Sequence, residues 1–177
     1  MSKIVNFEEC ARLIRDSVDP DKIDPDTPYI GLQHIAPDEL RLLEVGKASD
    51  VSSNKYIFKK GDILFGKLRP YFRKVILAPF DGVCSTDIWV VRASEKCEQN
   101  FLFFWMASQE FVDKANKGSE GTKMPRAKWD FVSKIKKEIP DHKEQKRISD
   151  ILKAFDDKIE LNQRMNQTLE AIARAVF

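Results

Sequence analysis

Histidine, cysteine and glycine are scarce in this chain: its 177 residues hold two, three and seven of them. Cys10, Cys84 and Cys97 are odd in number and form no CxxC pair, so neither a disulfide framework nor a zinc site is expected. Three reduced thiols of a cytoplasmic protein are the simpler reading. His34 and His142 stand alone, with no metal-pair or dyad spacing. Seven glycines and eight prolines exclude collagen-like and low-complexity architecture. No apolar run approaches the ~20 residues of a membrane span. Residues 1–10 lack the apolar core and small-residue cleavage site of a secretory signal, so none is expected. Neither sign of charge dominates, since 30 Lys and Arg face 28 Asp and Glu, and the total does not announce a nucleic-acid ligand.

The hydrophobic share is 42% and the charged share 33%, the composition of a soluble globular chain. Charge is distributed unevenly along it. Residues 1–54 carry a net −5, residues 55–140 a net +7, and residues 141–177 a net 0. An acidic entry, a basic middle and a balanced end lie beneath the near-zero total.

Local pattern points to an α+β fold. Asn6, Glu8 and Glu9 suit a helix start, and Phe7, Cys10, Leu13 and Ile14 form a helical stripe ending before Val18-Asp19-Pro20. Strands are expected at Tyr29–Leu32, at Gly61–Gly66, from Phe72 to Leu77 and from Val83 to Val91. The apolar run Phe101–Met106 reads as buried helix. Gly118 to Thr122 is a loop. Asp141, with Glu144 three residues on, resembles a capping box. From there to Phe177 neither Pro nor Gly occurs, which predicts one helix of up to 37 residues, roughly 55 Å long. Residues 1–139 therefore read as a mixed-sheet globular domain and 140–177 as a separate long helix.

That helix carries apolar residues at Ile148, Leu152, Phe155 and Ile159, then at Leu169, Ala173 and Val176, with Asn162 and Asn166 between the groups. Leu161, Met165, Leu169 and Ile172 widen the stripe. The spacing is that of a coiled-coil seam, in which single polar residues set register.

No phosphate-cradling GxxxxGK(S/T) or GxGxxG occurs, and no HExxH or GxSxG. Pro140-Asp141 and Glu144-Gln145-Lys146 have the letters of a metal-dependent nuclease. Such chemistry needs carboxylates converging from separate strands, whereas these lie within one helical turn. Two basic clusters carry more weight. Residues 55–74 hold Lys55, Lys59, Lys60, Lys67, Arg69, Arg73 and Lys74 against Asp62. Residues 123–137 hold Lys123, Arg126, Lys128, Lys134, Lys136 and Lys137 against Asp130. Such clusters neutralise phosphates, and arginine can read guanine, although a solvated face is the commoner meaning of a charge run. The accompanying aromatics Tyr56, Phe65, Tyr71, Phe72, Trp129 and Phe131 are more often core than base-stacking.

Three stretches together resemble a known family: Gly61-Asp62-Ile63-Leu64-Phe65-Gly66-Lys67-Leu68-Arg69-Pro70-Tyr71, Ser85-Thr86-Asp87-Ile88, and Gly121-Thr122-Lys123-Met124-Pro125-Arg126. With Ile139-Pro140, Glu144-Gln145, Arg147-Ile148 and Asp156-Asp157-Lys158-Ile159-Glu160-Leu161-Asn162, they resemble the specificity (S) subunits of Type I restriction-modification enzymes. The resemblance implies a DNA-reading subunit with no catalytic residue, metal or cofactor of its own. It implies double-stranded DNA and methyltransferase (M) subunits as partners, with S-adenosylmethionine bound by M, and a restriction (R) subunit as a further partner. A full S subunit carries two recognition domains and two conserved helices; this chain has one of each. It resembles half a subunit, either encoded that way or cut from a longer protein, and the uncapped apolar ending at Phe177 leans towards the second. Two copies pairing head to tail through Leu152, Phe155, Ile159, Asn162, Met165, Leu169 and Ile172 would form a homodimer that reads a split, inverted-repeat site. The expected DNA contacts are Lys67, Arg69, Arg73 and Lys74 after the glycine-flanked strand, and Thr122, Lys123, Arg126 and Lys128 in the following loop. The alternatives are a coiled-coil assembly or regulatory protein without DNA readout, and a nuclease using Asp141 and Glu144.

Overall fold

Residues 2–121 and 123–176 are described by the computed structural model. From the N-terminus, β1 (Lys3–Asn6) leads into a one-turn helix α1 (Phe7–Cys10), then β2 (Ala11–Ile14), β3 (Ser17–Val18), β4 (Pro28–Ile30) and β5 (Gly46–Lys47). Next come β6 (Lys55–Phe58), β7 (Ile63–Gly66), β8 (Val75–Leu77), β9 (Gly82–Cys84) and β10 (Ile88–Ala93). Helices α2 (Gln99–Ala107) and α3 (Gln109–Lys117), the short α4 (Trp129–Val132), β11 (Lys136–Ile139) and α5 (His142–Val176) complete the order.

The central layer is an antiparallel sheet in the order β2-β10-β7-β8. Its inner strands read as unbroken apolar runs because both faces are covered. Ile63, Phe65, Val75, Trp89 and Val91 point into a core shared with Phe101, Leu102, Trp105, Met106 and Phe111 of α2 and α3. The intervening Leu64, Ile76, Ile88 and Val90 point the other way, onto Ile30, Phe58 and Cys84 of a second sheet. That sheet runs β3-β6-β9-β4-β5, with only the β4–β9 pair parallel. The two-residue side-chain alternation of strands thus divides one sequence between two cores.

The stretch expected as helix from Asn6 to Ile14 is helical only to Cys10. Glu9 reaches back to the Asn6 amide at 2.9 Å, closing a single turn. Ala11–Ile14 then pairs antiparallel with β10, Ala11 opposite Ala93 and Ile14 opposite Val90. Leu13 and Ile14 pack against different cores, as strand neighbours do, and the sheet edge overrides the helical stripe. Val83–Val91 is two strands in different sheets, separated at Ser85-Thr86-Asp87. Pro70–Phe72 is a 3-10 turn, so the strand expected from Phe72 starts at Val75. The pair β1–β11, with Lys3 opposite Ile139, has no counterpart in the sequence reading. The buried helix over Phe101–Met106 and the long terminal helix stand as expected.

The 35 residues of α5 span roughly 52 Å. Its first two turns are the most deeply docked, with Ile148 against the core, and farther along Gln163 accepts a bond from Arg41. Gln145 and Ser149 are each 1% exposed. Gln145 Oε1 accepts the Glu98 amide at 2.8 Å, and its Nε2 donates to the Pro140 carbonyl at 2.9 Å. Ser149 Oγ donates to Glu98 Oε2 at 2.9 Å, the same oxygen that caps α2 by accepting the Phe101 amide at 2.7 Å. Beyond this joint the apolar stripe is bare: Leu152, Phe155, Ile159, Leu161, Met165, Leu169, Ile172 and Val176 are between 39% and 70% exposed.

Candidate nucleic-acid interface

The two basic segments, 55–74 and 123–137, are far apart in sequence but are joined by backbone hydrogen bonds. Past the end of β7, the Lys67 amide donates to the Asp87 carbonyl at 2.9 Å, and the Lys67 carbonyl accepts the Ala127 amide at 2.9 Å. Leu68 and Arg126 lie opposite each other, and the Arg69 amide donates to the Pro125 carbonyl at 2.7 Å. Arg126 and Glu120 exchange both backbone bonds, at 2.9 and 3.1 Å, which sets the two residues face to face. Gly121 has φ +96°, and an added Cβ would meet the Met124 carbonyl oxygen at 3.2 Å, so the turn needs glycine. Lys67, Glu120, Gly121, Met124, Arg126 and Lys128 line an open depression of about 460 Å³ here.

The expected contact residues divide by how their charge is used. Arg126 Nε lies 3.1 Å from Asp87 Oδ1, and Lys128 pairs with Glu120, yet both cations remain about half exposed. Among the described residues, Lys67, Arg69 and Lys123 have no carboxylate partner. Arg73 Nη2 donates to the Asp38 carbonyl at 2.8 Å, and its Nε sits 3.1 Å from Asp38 Oδ1. Lys74 donates its ammonium to the Leu32 carbonyl, and burial pushes its pKa down. Arg73 and Lys74 thus brace their own loop against residues 32–38. Thr122 lies outside the described residues.

Several members of the sequence clusters are structural. Lys55 is 5% exposed, with Nζ 2.8 Å from Ser53 Oγ and 5.7 Å from the Tyr29 ring centroid, and burial lowers its pKa. Lys59 pairs with Asp81 at 3.0 Å, and Lys137 with Glu110 at 3.2 Å. Asp62 holds Arg92 in a fork, at 2.6 and 2.9 Å, and accepts the Lys59 amide at 2.7 Å. That fork raises the arginine pKa further. Phe65 and Trp129 belong to the aromatic core around Trp89. Asp87 organises the junction of the two segments. Its amide donates to Ser85 Oγ at 3.2 Å while its carbonyl and carboxylate serve Lys67 and Arg126. The Ser-Thr-Asp letters signalled that turn.

The nuclease letters resolve into helix chemistry. The Glu144 amide donates to Asp141 Oδ1 at 3.2 Å, and that bond is the main cause of the lowered Asp141 pKa. Arg147 grips Glu144 with two bonds of 2.6 and 2.9 Å, holding its carboxyl below the usual glutamate value. Among the described residues, no group of three His, Cys, Asp or Glu is placed to hold a metal ion. No described helix is long and apolar enough to cross a membrane.

The chain is 32% identical over 160 residues to the Type I restriction enzyme HindI specificity subunit of Haemophilus influenzae. It is 34% identical over 157 residues to the EcoDI specificity subunit of Escherichia coli. These alignments cover 86% and 82% of this chain but 35% and 34% of the relatives, so the chain spans about a third of their length. In fold it is similar to the HsdS subunit from Thermoanaerobacter tengcongensis, with a TM-score of 0.73 at 24% identity over 93% of this chain and 44% of that one. A structure from work on complex assembly and conformational transition of the type I R-M system matches with a TM-score of 0.75 and the same coverage. Residues 3–171 match the Type I restriction modification DNA specificity domain, and the chain belongs to that family.

Proposed function

We propose that this chain is a non-catalytic, sequence-reading DNA-binding part of a Type I restriction-modification enzyme, working in the cytoplasm. The observation that carries this reading is the backbone ladder uniting residues 67–69 with 125–127, because it gathers Lys67, Arg69, Lys123, Arg126 and Lys128 at one edge. Unpaired Lys67, Arg69 and Lys123 supply phosphate contacts. Arg126, oriented by Asp87 through one bond, keeps its remaining donors for a base edge. Residues 1–139 form the reading unit and residues 140–177 the helix that places it.

The bare stripe of α5 is the docking surface for methyltransferase subunits and for a second copy of the chain, paired head to tail. Such a pair sets two identical reading faces up to ~50 Å apart, about one and a half duplex turns, and reads a split inverted repeat. S-adenosylmethionine belongs to the methyltransferase partner, and a restriction subunit joins the same assembly.

Gel-shift titration of the chain with methyltransferase subunits, on random and selected duplexes at several salt concentrations, tests the reading. Discrimination between sequences with a steep salt dependence supports it. Complex formation with methyltransferase but no sequence discrimination would favour an assembly protein without DNA readout.

A further inference from the structure

We infer that Tyr71 and Phe72 form an aromatic wedge that stacks on the bases of the bound duplex, a deepening that rests on the DNA-reading function proposed above. The two rings are in contact, with centroids 4.7 Å apart and planes tilted by 51°. They are 47% and 40% exposed, while Pro70 just before them is buried. The turn therefore anchors its proline and presents its aromatic residues outward. Single exposed apolar residues need no explanation, but an adjacent aromatic pair held outward beside a basic ladder does. Arg69, immediately before the turn, is bonded to Pro125 in that ladder. Met124, next to Pro125 in the chain, is exposed as well.

The backbone around this tip is strained in a localised way. The described non-glycine residues with positive φ are Asp38, Leu40, Arg69 and Arg73, at 62°, 53°, 51° and 45°. Arg69 and Arg73 bracket the aromatic pair, and Asp38 and Leu40 lie in the loop that supports it. The Asp38 amide donates to the Phe72 carbonyl at 3.3 Å, while Arg73 grips Asp38 in return. Strain of this kind persists only where surrounding bonds over-determine it, and it concentrates where a ligand is met. Here it holds two flat rings in a fixed outward pose, so stacking costs little ordering entropy. Aromatic and apolar wedges of this type unstack a base step and bend the duplex, whereas ring-on-base stacking tolerates any sequence.

The test uses the full chain with methyltransferase subunits and the tightest duplex from a random-pool selection. That duplex is labelled at both ends for energy transfer and substituted with 2-aminopurine at single positions. Wild type is expected to shorten the end-to-end distance and to change 2-aminopurine emission at one step in each half-site. Tyr71→Ala with Phe72→Ala should lose both signals and weaken binding at least tenfold, with the salt slope and thermal midpoint unchanged. Tyr71→Phe should retain them. Should the double alanine variant fail to fold, photocrosslinking of wild type to duplexes carrying 5-iododeoxyuridine decides: adducts on Tyr71 or Phe72 support the wedge, and adducts only elsewhere overturn it. Unchanged bending and affinity in a folded variant would also overturn it and leave DNA reading standing. Weakened methyltransferase binding without DNA, with bending intact, would overturn it by assigning the pair to protein docking. Wild type that binds no duplex would overturn both readings.

Discussion

The amide of Arg69 donates to the carbonyl of Pro125 at 2.7 Å, and with it a loop from the middle of the chain is fastened to a segment 56 residues later. Alone, neither basic segment is more than a solvated run. Joined, they form a continuous cationic edge over a sheet whose both faces are packed.

Replacing Lys67, Arg69 and Lys123 together with alanine should weaken DNA binding at every sequence and flatten the salt dependence. Each lost phosphate contact lowers the slope of log K against log salt by ~0.9, so the triple variant should lose about 2.7. Arg126→Ala should behave differently, costing ~1–3 kcal/mol at one base position and relaxing specificity there. Titration at four salt concentrations separates the two outcomes.

Gln145→Leu should destabilise the chain by ~1–3 kcal/mol. It removes the acceptor of the Glu98 amide and the donor to the Pro140 carbonyl, and leaves both groups without that partner. Chemical denaturation measures it as a lower midpoint.

Acid should destabilise the fold from a predictable point. Lys96 lowers the carboxyl pKa of Glu9, Lys114 and Lys137 that of Glu110, Arg147 that of Glu144, and backbone amides those of Asp81 and Asp141. A carboxylate whose folded pKa is depressed adds stability that is complete above its ordinary value and lost as pH falls through the folded value. Asp156, pushed up by burial, works in the opposite sense. The net expectation is a thermal midpoint that is flat above the ordinary values of 4.5 for glutamate and 3.8 for aspartate, and that declines below them. A pH series of thermal melts checks it.

Phe155→Asp with Ile159→Asp should abolish self-association while leaving the folded body intact, because both side chains are more than half exposed and touch neither core. Sedimentation and circular dichroism together read this, with the helix signal reduced only where pairing had stabilised it.

Much of this was legible from residue order. The glycine-flanked strand, the buried helix around Leu102 and the long helix after Pro140 follow from apolar runs and from missing Pro and Gly. What escaped was whatever depends on distant partners. Ala11–Ile14 looks helical until β10 offers it a sheet edge. Val83 to Val91 reads as one strand until Ser85-Thr86-Asp87 carries it between sheets. In the basic runs Lys55 and Lys74 look like their neighbours, but their ammonium groups bond Ser53 and the Leu32 carbonyl. Charge counts locate a cationic segment, but only the fold says which cations are already spent on the protein itself.

Selection of bound duplexes from a random pool, with chain and methyltransferase subunit together, tests the central claim most directly. The expected result is enrichment of two identical short half-sites in inverted orientation, separated by a fixed spacer of unread bases. Recovery of the pool without sequence enrichment, or of a single undivided site, would contradict it.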